Sequence, residues 1–522
     1  MSPLAQIDSE LRRLLPANLY TLLWIQPSAP TLMQVFEHLR ALRYLLNNYV
    51  PPSVVSDPPV VGQSRHTWRQ STLLFTDLAG FTPLMEFYFT QGPQGAQALL
   101  EVLNRYFSLM VAIVSKSGGN LLEFTGDALL VEFPADDQRH DLARAVRAGL
   151  RMQRAMHDFA CIETPQGLLS LKMRVGIHAD KFMSVDVGTP LRMMRILLGE
   201  AVQRAKRAEG AGAVGRVCVT TQTSPLLEED FRFETHTPGY QLVVDDLSDA
   251  ALGEYDLANQ QRRSRRSLLF DRSEAAIAEE IQTLTQELIP LASYLPPSVL
   301  GLAVASACQR QIPPRFVTPT VLFINLVGLS QAVDTIFREE APALVAACNQ
   351  LFALINGTVV EAGGVIRNPT YNLDDPDIMI YFSNAVYHGD DVVRGVETAI
   401  EIRDLVADFP ALQVRGQAYP LSCRMGMARG LVFAAEIGEP RGRREFNLLS
   451  DTVNTAARLM SCADPQQVLM TETVHDALQV VRGLPHLSFE NLGLLNLKGK
   501  SSKLATYAIA DDVPSATTST LR

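Results

Sequence analysis

Apolar residues recur at spacings of three and four over Leu32–Leu46 and again over Glu274–Leu291, which predicts two amphipathic helices. Each leads into a similar turn, YVPPSVV at Tyr49–Val55 and YLPPSVL at Tyr294–Leu300, and each turn precedes a β-like run by a similar distance. After the first turn, Thr72–Thr76 reads as a strand and Gly80-Phe81-Thr82 bends the chain towards a helix. Ala98–Ser115 sets Leu99, Leu103, Phe107, Met110 and Val114 on one helical face, and Gly118-Gly119 ends it. Leu121–Phe124 and Leu129–Phe133 flank Thr125-Gly126-Asp127-Ala128 as a β-hairpin with a tight turn. A helix from about Leu142 to Phe159 and strands at Lys172–Ile177 and Arg216–Thr220 complete the pattern. The fold class predicted is α+β, a sheet covered by helices.

That pattern occurs twice, and each copy lacks what the other keeps. Leu73–Thr82 (LLFTDLAGFT) matches Val321–Ser330 (VLFINLVGLS), setting Asp77 against Asn325. Leu171–Gly188 matches Leu421–Gly438 without a gap, pairing Arg174 with Arg424 and Gly176 with Gly426. LLSDTVNTAARL at Leu448–Leu459 matches LLGEAVQRAKRA, where Gln203 replaces Asn454 and Arg207 stands opposite Arg458. Fifty residues separate Asp77 from Asp127, yet one ends a strand and the other sits at an adjacent hairpin turn, so both reach one sheet edge. One copy keeps carboxylates, the other an Asn and an Arg. They read as complementary sides of a single active site, and the reverse pairing reads as a dead site.

A chain of 522 residues holds about three domain-sized units, or two larger ones with helical connections. The reading divides it into a helical lead (1–64), a first repeated domain (65–246), a linker with a helix (247–314), a second repeated domain (315–510) and a disordered polar tail (511–522). The basic run Arg262–Arg266 reads as solvated linker. A net charge of −10 argues against nucleic acid as a partner. The six cysteines are scattered without a CxxC pair, as in a cytoplasmic protein with reduced thiols. The N-terminus does not read as a secretion signal, and no stretch approaches the ~18 apolar residues of a membrane span.

FTDLAGFT, the GG-x6-GDALL stretch beginning at Gly118, DTVNTAARL and the late LKGKS together resemble the class III nucleotidyl cyclases. The tandem, asymmetric layout is most similar to the soluble adenylyl cyclases, and the resemblance covers roughly residues 65–245 and 315–510. It implies two ferredoxin-like domains that pair within one chain as a pseudo-twofold heterodimer, so that the monomer is functional. It also implies conversion of ATP to cyclic AMP and pyrophosphate through attack of the ribose 3′-OH on the α-phosphate, with two Mg²⁺ or Mn²⁺ ions. Hard cations call for oxygen ligands, which points to Asp77 and Asp127, with the Leu78 carbonyl third by resemblance. Backbone N–H groups of Gly80, Phe81 and Thr82 suit the β- and γ-phosphates. By resemblance Asn454 orients the ribose and Arg458 stabilises charge on the α-phosphate. Four residues apart on a helix, they point the same way. Lys498 and Lys500 match the family's triphosphate lysine, and Lys181 a basic phosphate contact that faces Leu431 in the second copy.

Base recognition departs from the family pattern. The positions that select adenine fall on Asn368 and Asn447, whose amides can donate and accept and so fit adenine N1 and N6 or a guanine edge. GTP or mixed purine specificity therefore stays open beside ATP. So does a catalytically silent nucleotide-binding regulatory module. The lysine expected in the bicarbonate pocket of soluble adenylyl cyclases corresponds to Glu123, which argues against bicarbonate activation.

Overall fold

The computed structural model describes residues 3–136, 140–164, 167–253, 273–336, 339–371, 375–383, 390–439, 442–481, 487–497 and 503–510. The basic run, the polar tail, Lys498 and Lys500 lie outside the described residues. The chain divides into two compact units. One comprises Met1–Arg315 with Ala341–Asn349 and Ala434–Leu449; the other comprises Phe316–Glu340, Gln350–Phe433 and Ser450–Arg522.

In the first unit the lead forms α1 (Ala29–Tyr49), followed by β1 (Arg65–Ala79), α2 (Phe81–Phe89) and α3 (Gly92–Lys116). The hairpin follows as β2 (Asn120–Thr125) and β3 (Ala128–Pro134), then α4 (Asp141–Ala155), β4 (Lys172–Thr189), β5 (Arg192–Leu198), α5 (Glu200–Ala211) and β6 (Val217–Thr220). After β7 (Phe233–Thr237) and β8 (Tyr240–Val243) comes the second lead helix, α6 (Glu274–Ala292). The sheet runs β2-β3-β1-β4-β6-β8-β7, with β5 paired to β4.

The second copy repeats this path. Its elements are β9 (Thr320–Val327), α7 (Leu329–Thr335), α8 (Ala341–Glu361), β10 (Val365–Ile366), β11 (Asp377–Phe382), α9 (Asp391–Asp408), β12 (Ser422–Arg429), β13 (Val432–Gly438), β14 (Arg444–Leu449), α10 (Asp451–Cys462), β15 (Val468–Thr471), β16 (Phe489–Leu495) and β17 (Leu504–Ile509). Its sheet runs β10-β11-β9-β12-β15-β17-β16.

The glycines paired by the repeat explain one shared feature. A Cβ on Gly176 would lie 2.0 Å from the Glu209 nitrogen and 2.4 Å from the Ala205 oxygen, and one on Gly426 would lie 2.2 Å from the Met460 nitrogen. In both copies the absent side chain lets α5 or α10 press its backbone onto the central strand. That contact fixes the helix that follows each β-hairpin.

Two strands exceed their predicted length. The strand read at Thr72–Thr76 spans Arg65–Ala79, and the one read at Lys172–Ile177 runs to Thr189. The extra length is polar on β1 (Arg65–Gln70), so hydropathy conceals it; cross-strand pairing from Arg65↔Asp186 to Ala79↔Lys172 supplies the order instead. The helix read to Phe159 is α-helical to Ala155 and 3₁₀ beyond. Two helices, Gly92–Lys116 and Ala341–Glu361, are long and apolar enough by length and composition to cross a membrane, with half of each apolar window buried in the fold. Leu99, Leu103, Phe107, Met110 and Val114 of α3, the predicted apolar face, are all buried.

Candidate active site

The acidic half of the predicted site lies at one end of the β1–β3 ladder. Thr76 pairs with Leu129 and its Oγ1 accepts the Leu129 N–H at 3.2 Å, so Asp77 and Asp127 follow at the same end. Asp77 is also registered with Arg174 on β4. The Arg174 Nη2 donates to Asp77 Oδ2 at 2.7 Å, and its Nε lies 2.8 Å from Glu209 Oε1, too misaligned for a hydrogen bond. Burial draws the Arg174 guanidinium down, but the Asp77 bond and the charges of Glu209, Asp77 and Asp127 outweigh it and leave its pKa raised. The phenol of Tyr106, fully buried, is held above its ordinary range first by burial and then by the charges of Asp127 and Asp77. Both acids thus act on the same cation and the same phenol. Arg174 was not singled out for this role by the sequence, although its presence in both copies is the signal that could have found it.

Beyond Asp77, Leu78 is buried and Gly80 adopts φ 96°, opening α2 with no side-chain cap from Gly80 itself. Gly80, Phe81 and Thr82 therefore form the start of a nine-residue helix beside the acids. Two carboxylates, a nearby carbonyl and a helix start fit a hard divalent cation with phosphate, though among the described residues no group of three His, Cys, Asp or Glu gathers. Lys181 is not part of this cluster. It sits seven residues along β4 from Arg174, opposite Gln70, roughly 23 Å away at the ordinary strand rise.

Asn447 lies on β14 in the same unit, buried, with its Oδ1 accepting the Leu448 N–H at 2.8 Å.

The second unit carries the other candidates. Ser450 caps α10 by accepting the Thr452 N–H at 2.9 Å, and Asn454 and Arg458 lie one turn apart on that helix. The Arg458 Nη1 is buried with no hydrogen-bond partner among the described residues. A buried guanidinium nitrogen left unsatisfied is costly, so the position is suited to a ligand that brings an acceptor. Asn368 is half-buried between β10 and β11.

The second copy's counterpart of the acidic cluster is closed by its own residues. Asn325 Nδ2 donates to Asp377 Oδ1 at 2.9 Å and to the Asp375 carbonyl at 3.0 Å. The Asp375 carboxylate accepts the N–H groups of Gly328 at 3.0 Å and Ser330 at 2.7 Å, the positions matching Gly80 and Thr82. A carboxylate from the longer second-copy loop therefore lies where the first copy offers backbone donors.

The family profile described as the adenylate and guanylate cyclase catalytic domain matches residues 64–242 and 380–511, more than half of the chain. The chain belongs to that family. It is 22% identical over 412 residues to adenylate cyclase type 10 of Mus musculus, covering 74% of this chain and 23% of that protein. It is 29% identical over 167 residues to adenylate cyclase 1 of Rhizobium meliloti, covering 31% of this chain and 24% of that one. The chain thus spans about a quarter of the length of these curated relatives. Among solved structures, a class III adenylyl cyclase-like ATP-binding protein from Pseudomonas aeruginosa shares the fold with a TM-score of 0.54 at 11% identity, over 84% of this chain and 92% of that one. The tandem class III cyclase fold read from the repeats is therefore the fold of this chain.

Proposed function

We propose that this cyclase-family chain converts ATP to cyclic AMP and pyrophosphate at one composite site, with Asp77 and Asp127 contributed by the first copy and Asn454 and Arg458 by the second. The observation that carries the reading is the asymmetry of the copies. Asp77 and Asp127 act together on Arg174 and Tyr106, whereas α10 presents a buried Arg458 nitrogen without a partner among the described residues. Asp77, Asp127 and the Leu78 carbonyl would hold two Mg²⁺ or Mn²⁺ ions. When bound, such ions acidify the 3′-hydroxyl and screen the triphosphate. The N–H groups of Gly80, Phe81 and Thr82 receive β- and γ-phosphate oxygens at a positive helix end. Asn454 orients the ribose, and Arg458, always protonated, donates its fork to charge gathering on the α-phosphate. Asn368 and Asn447 face the base, and Lys498 or Lys500 the triphosphate. All six thiols are free, which supports a reducing, cytoplasmic setting.

The test is the purified 522-residue chain given ATP and GTP side by side with Mg²⁺ or Mn²⁺, with cyclic nucleotide and pyrophosphate quantified. Product from ATP that is lost in Asp77→Ala and in Arg458→Ala is the expected result. The second reading is a silent nucleotide-binding module. It draws on the ATP-binding relative of the same fold and on the Arg174–Asp77 pair, in which a protein cation already neutralises one candidate ligand. Tight ATP binding with no turnover under either metal would favour it.

A further inference from the structure

The two lead helices run side by side in the same direction within the first unit. Near their starts the Ala29 N–H donates to Glu274 Oε1 at 3.0 Å, and near their ends Arg43 pairs with Glu287. Each leads to a buried tyrosine, Tyr49 as the last residue of α1 and Tyr294 two residues past α6, and the attachments cross over. Tyr49, leading the first copy, donates its hydroxyl to Glu436 on β13 of the second copy. Tyr294, leading the second copy, donates its hydroxyl to Asp186 on β4 of the first, at 2.7 Å. Glu436 and Asp186 are equivalent positions in the ungapped match of the two copies.

A buried arginine completes each clasp in the same way. The Arg443 Nη1 donates to the Tyr49 carbonyl at 2.6 Å and to the Arg444 carbonyl at 2.7 Å. The Arg192 Nη1 donates to the Tyr294 carbonyl and to the Met193 carbonyl, the latter at 2.8 Å. Arg192 is only 1% exposed and Arg443 6%. A guanidinium buried this deeply, tied to main-chain oxygens, holds position rather than surface charge.

The two clasps differ in what lies downstream. Past Arg443, β14 runs through Asn447 to the Ser450 cap and then into α10 with Asn454 and Arg458. Past Arg192, β5 runs to Gly199 and α5, which carries Gln203 and Arg207. We infer that Tyr49 and Arg443 are positioning residues for the α10 helix, because the first lead grips the β13–β14 hairpin from which that helix starts. The matching Tyr294 and Arg192 clasp holds only the hairpin that precedes the degenerate helix. This inference rests on the cyclase reading for its kinetic consequence, but its structural consequence does not.

The experiment compares Tyr49→Phe with Tyr294→Phe in the full chain, since each removes one buried hydroxyl from an equivalent clasp. Hydrogen exchange of amides 444–458 should rise in Tyr49→Phe by about tenfold, the scale of one hydrogen bond to a charged group, and stay unchanged in Tyr294→Phe. Amides 192–207 should show the opposite. In turnover of ATP, Tyr49→Phe should lower kcat by about tenfold with KM little changed, while Tyr294→Phe leaves kcat within about twofold. Glu436→Gln, which still accepts the Tyr49 hydroxyl, should retain more kcat than Glu436→Ala. Unchanged exchange at 444–458 in Tyr49→Phe, or equal loss of kcat in both tyrosine variants, would overturn the inference. Wild-type chain without turnover would sink the cyclase reading alone, and the exchange comparison would still decide the clasp.

Discussion

Arg174 brings its Nη2 to 2.7 Å from Asp77 Oδ2 while its Nε faces Glu209, so a protein cation occupies the space among the acids that the sequence assigns to metal. Arg174→Met would leave Asp77, Asp127 and Glu209 without their shared cation. Stability is expected to fall by about 2 kcal/mol, because Glu209 is nearly fully buried. Mn²⁺ is expected to bind more tightly, since the carboxylates no longer share their charge with the guanidinium. Calorimetric titration with Mn²⁺ and denaturant unfolding check both. Weaker Mn²⁺ binding in the variant would mean that Arg174 organises the cation site rather than competing for it.

Gly426→Ala puts a methyl 2.2 Å from the Met460 nitrogen and 2.3 Å from the Ala456 oxygen, and neither backbone group can move aside alone. The expected cost is about 3 kcal/mol, with α10 displaced from β12. Gly176→Ala should cost a similar amount through α5. Gly426→Ala should also abolish product formation, because α10 bears Asn454 and Arg458, whereas Gly176→Ala should lower it indirectly, by shifting Glu209 on α5 away from Arg174 beside Asp77. Thermal melts paired with turnover separate the two effects.

Much of this arrangement is legible along the chain. Asp77 and Asp127 could be brought together because a strand end and a tight hairpin turn are local patterns, and Thr76 with Leu129 delivers them to one ladder end. The Asn454 and Arg458 pair is legible because helical spacing is local too. What escaped the sequence depends on distant partners. Nothing around Tyr49 says that its hydroxyl meets Glu436, 387 positions later. Lys181, aligned with a phosphate contact, lies on β4 seven residues beyond Arg174 and opposite Gln70, a pairing that no local pattern announces. Asp375 gave no local sign that it would cap a helix 45 residues earlier.

Asp375→Ala removes the acceptor for the Gly328 and Ser330 N–H groups at the start of α7. One buried and one part-buried donor would lose their partner, for an expected loss of about 1–2 kcal/mol. The amount of ATP bound per chain should stay the same, because Asn325 remains committed to Asp377 and offers no second carboxylate. Equilibrium dialysis with ATP and urea unfolding test this. Doubled ATP binding would show that the carboxylate alone keeps the second copy's cleft shut.

Glu436 and Asp186 occupy matching places but titrate in opposite directions. Burial pushes the Glu436 carboxyl up, more than the bonds from Tyr49 and Arg444 pull it down. Burial likewise pushes Asp186 up, but Arg195, Arg65 and Tyr294 together hold it below its ordinary value. A raised folded-state pKa gives stability that is present below about 4.5 and lost as pH rises through the folded value. A depressed one gives stability that is present above about 3.8 and lost as pH falls through the folded value. Glu436→Gln should therefore be more stable than wild type at pH 7, with the gain vanishing below about pH 4.5. Asp186→Asn should be less stable at pH 7, with the deficit closing only in stronger acid. Denaturant unfolding at pH 7 and at mildly acidic pH measures both signs.

Arg458→Lys keeps the positive charge on α10 but loses the planar fork. The Arg458 Nη1 has no partner among the described residues, so the native protein gains nothing from that donor until an acceptor arrives. If that acceptor is the α-phosphate as charge builds on it, the loss falls on the transition state rather than on bound ATP. The expected outcome is a kcat lowered by about 100-fold with KM nearly constant and an unchanged melting temperature. A weakened ATP affinity at unaltered kcat would assign Arg458 to ground-state binding instead. A fall in melting temperature that tracks the loss of activity would mean that its stem packs the helix, and that the unpartnered nitrogen is incidental.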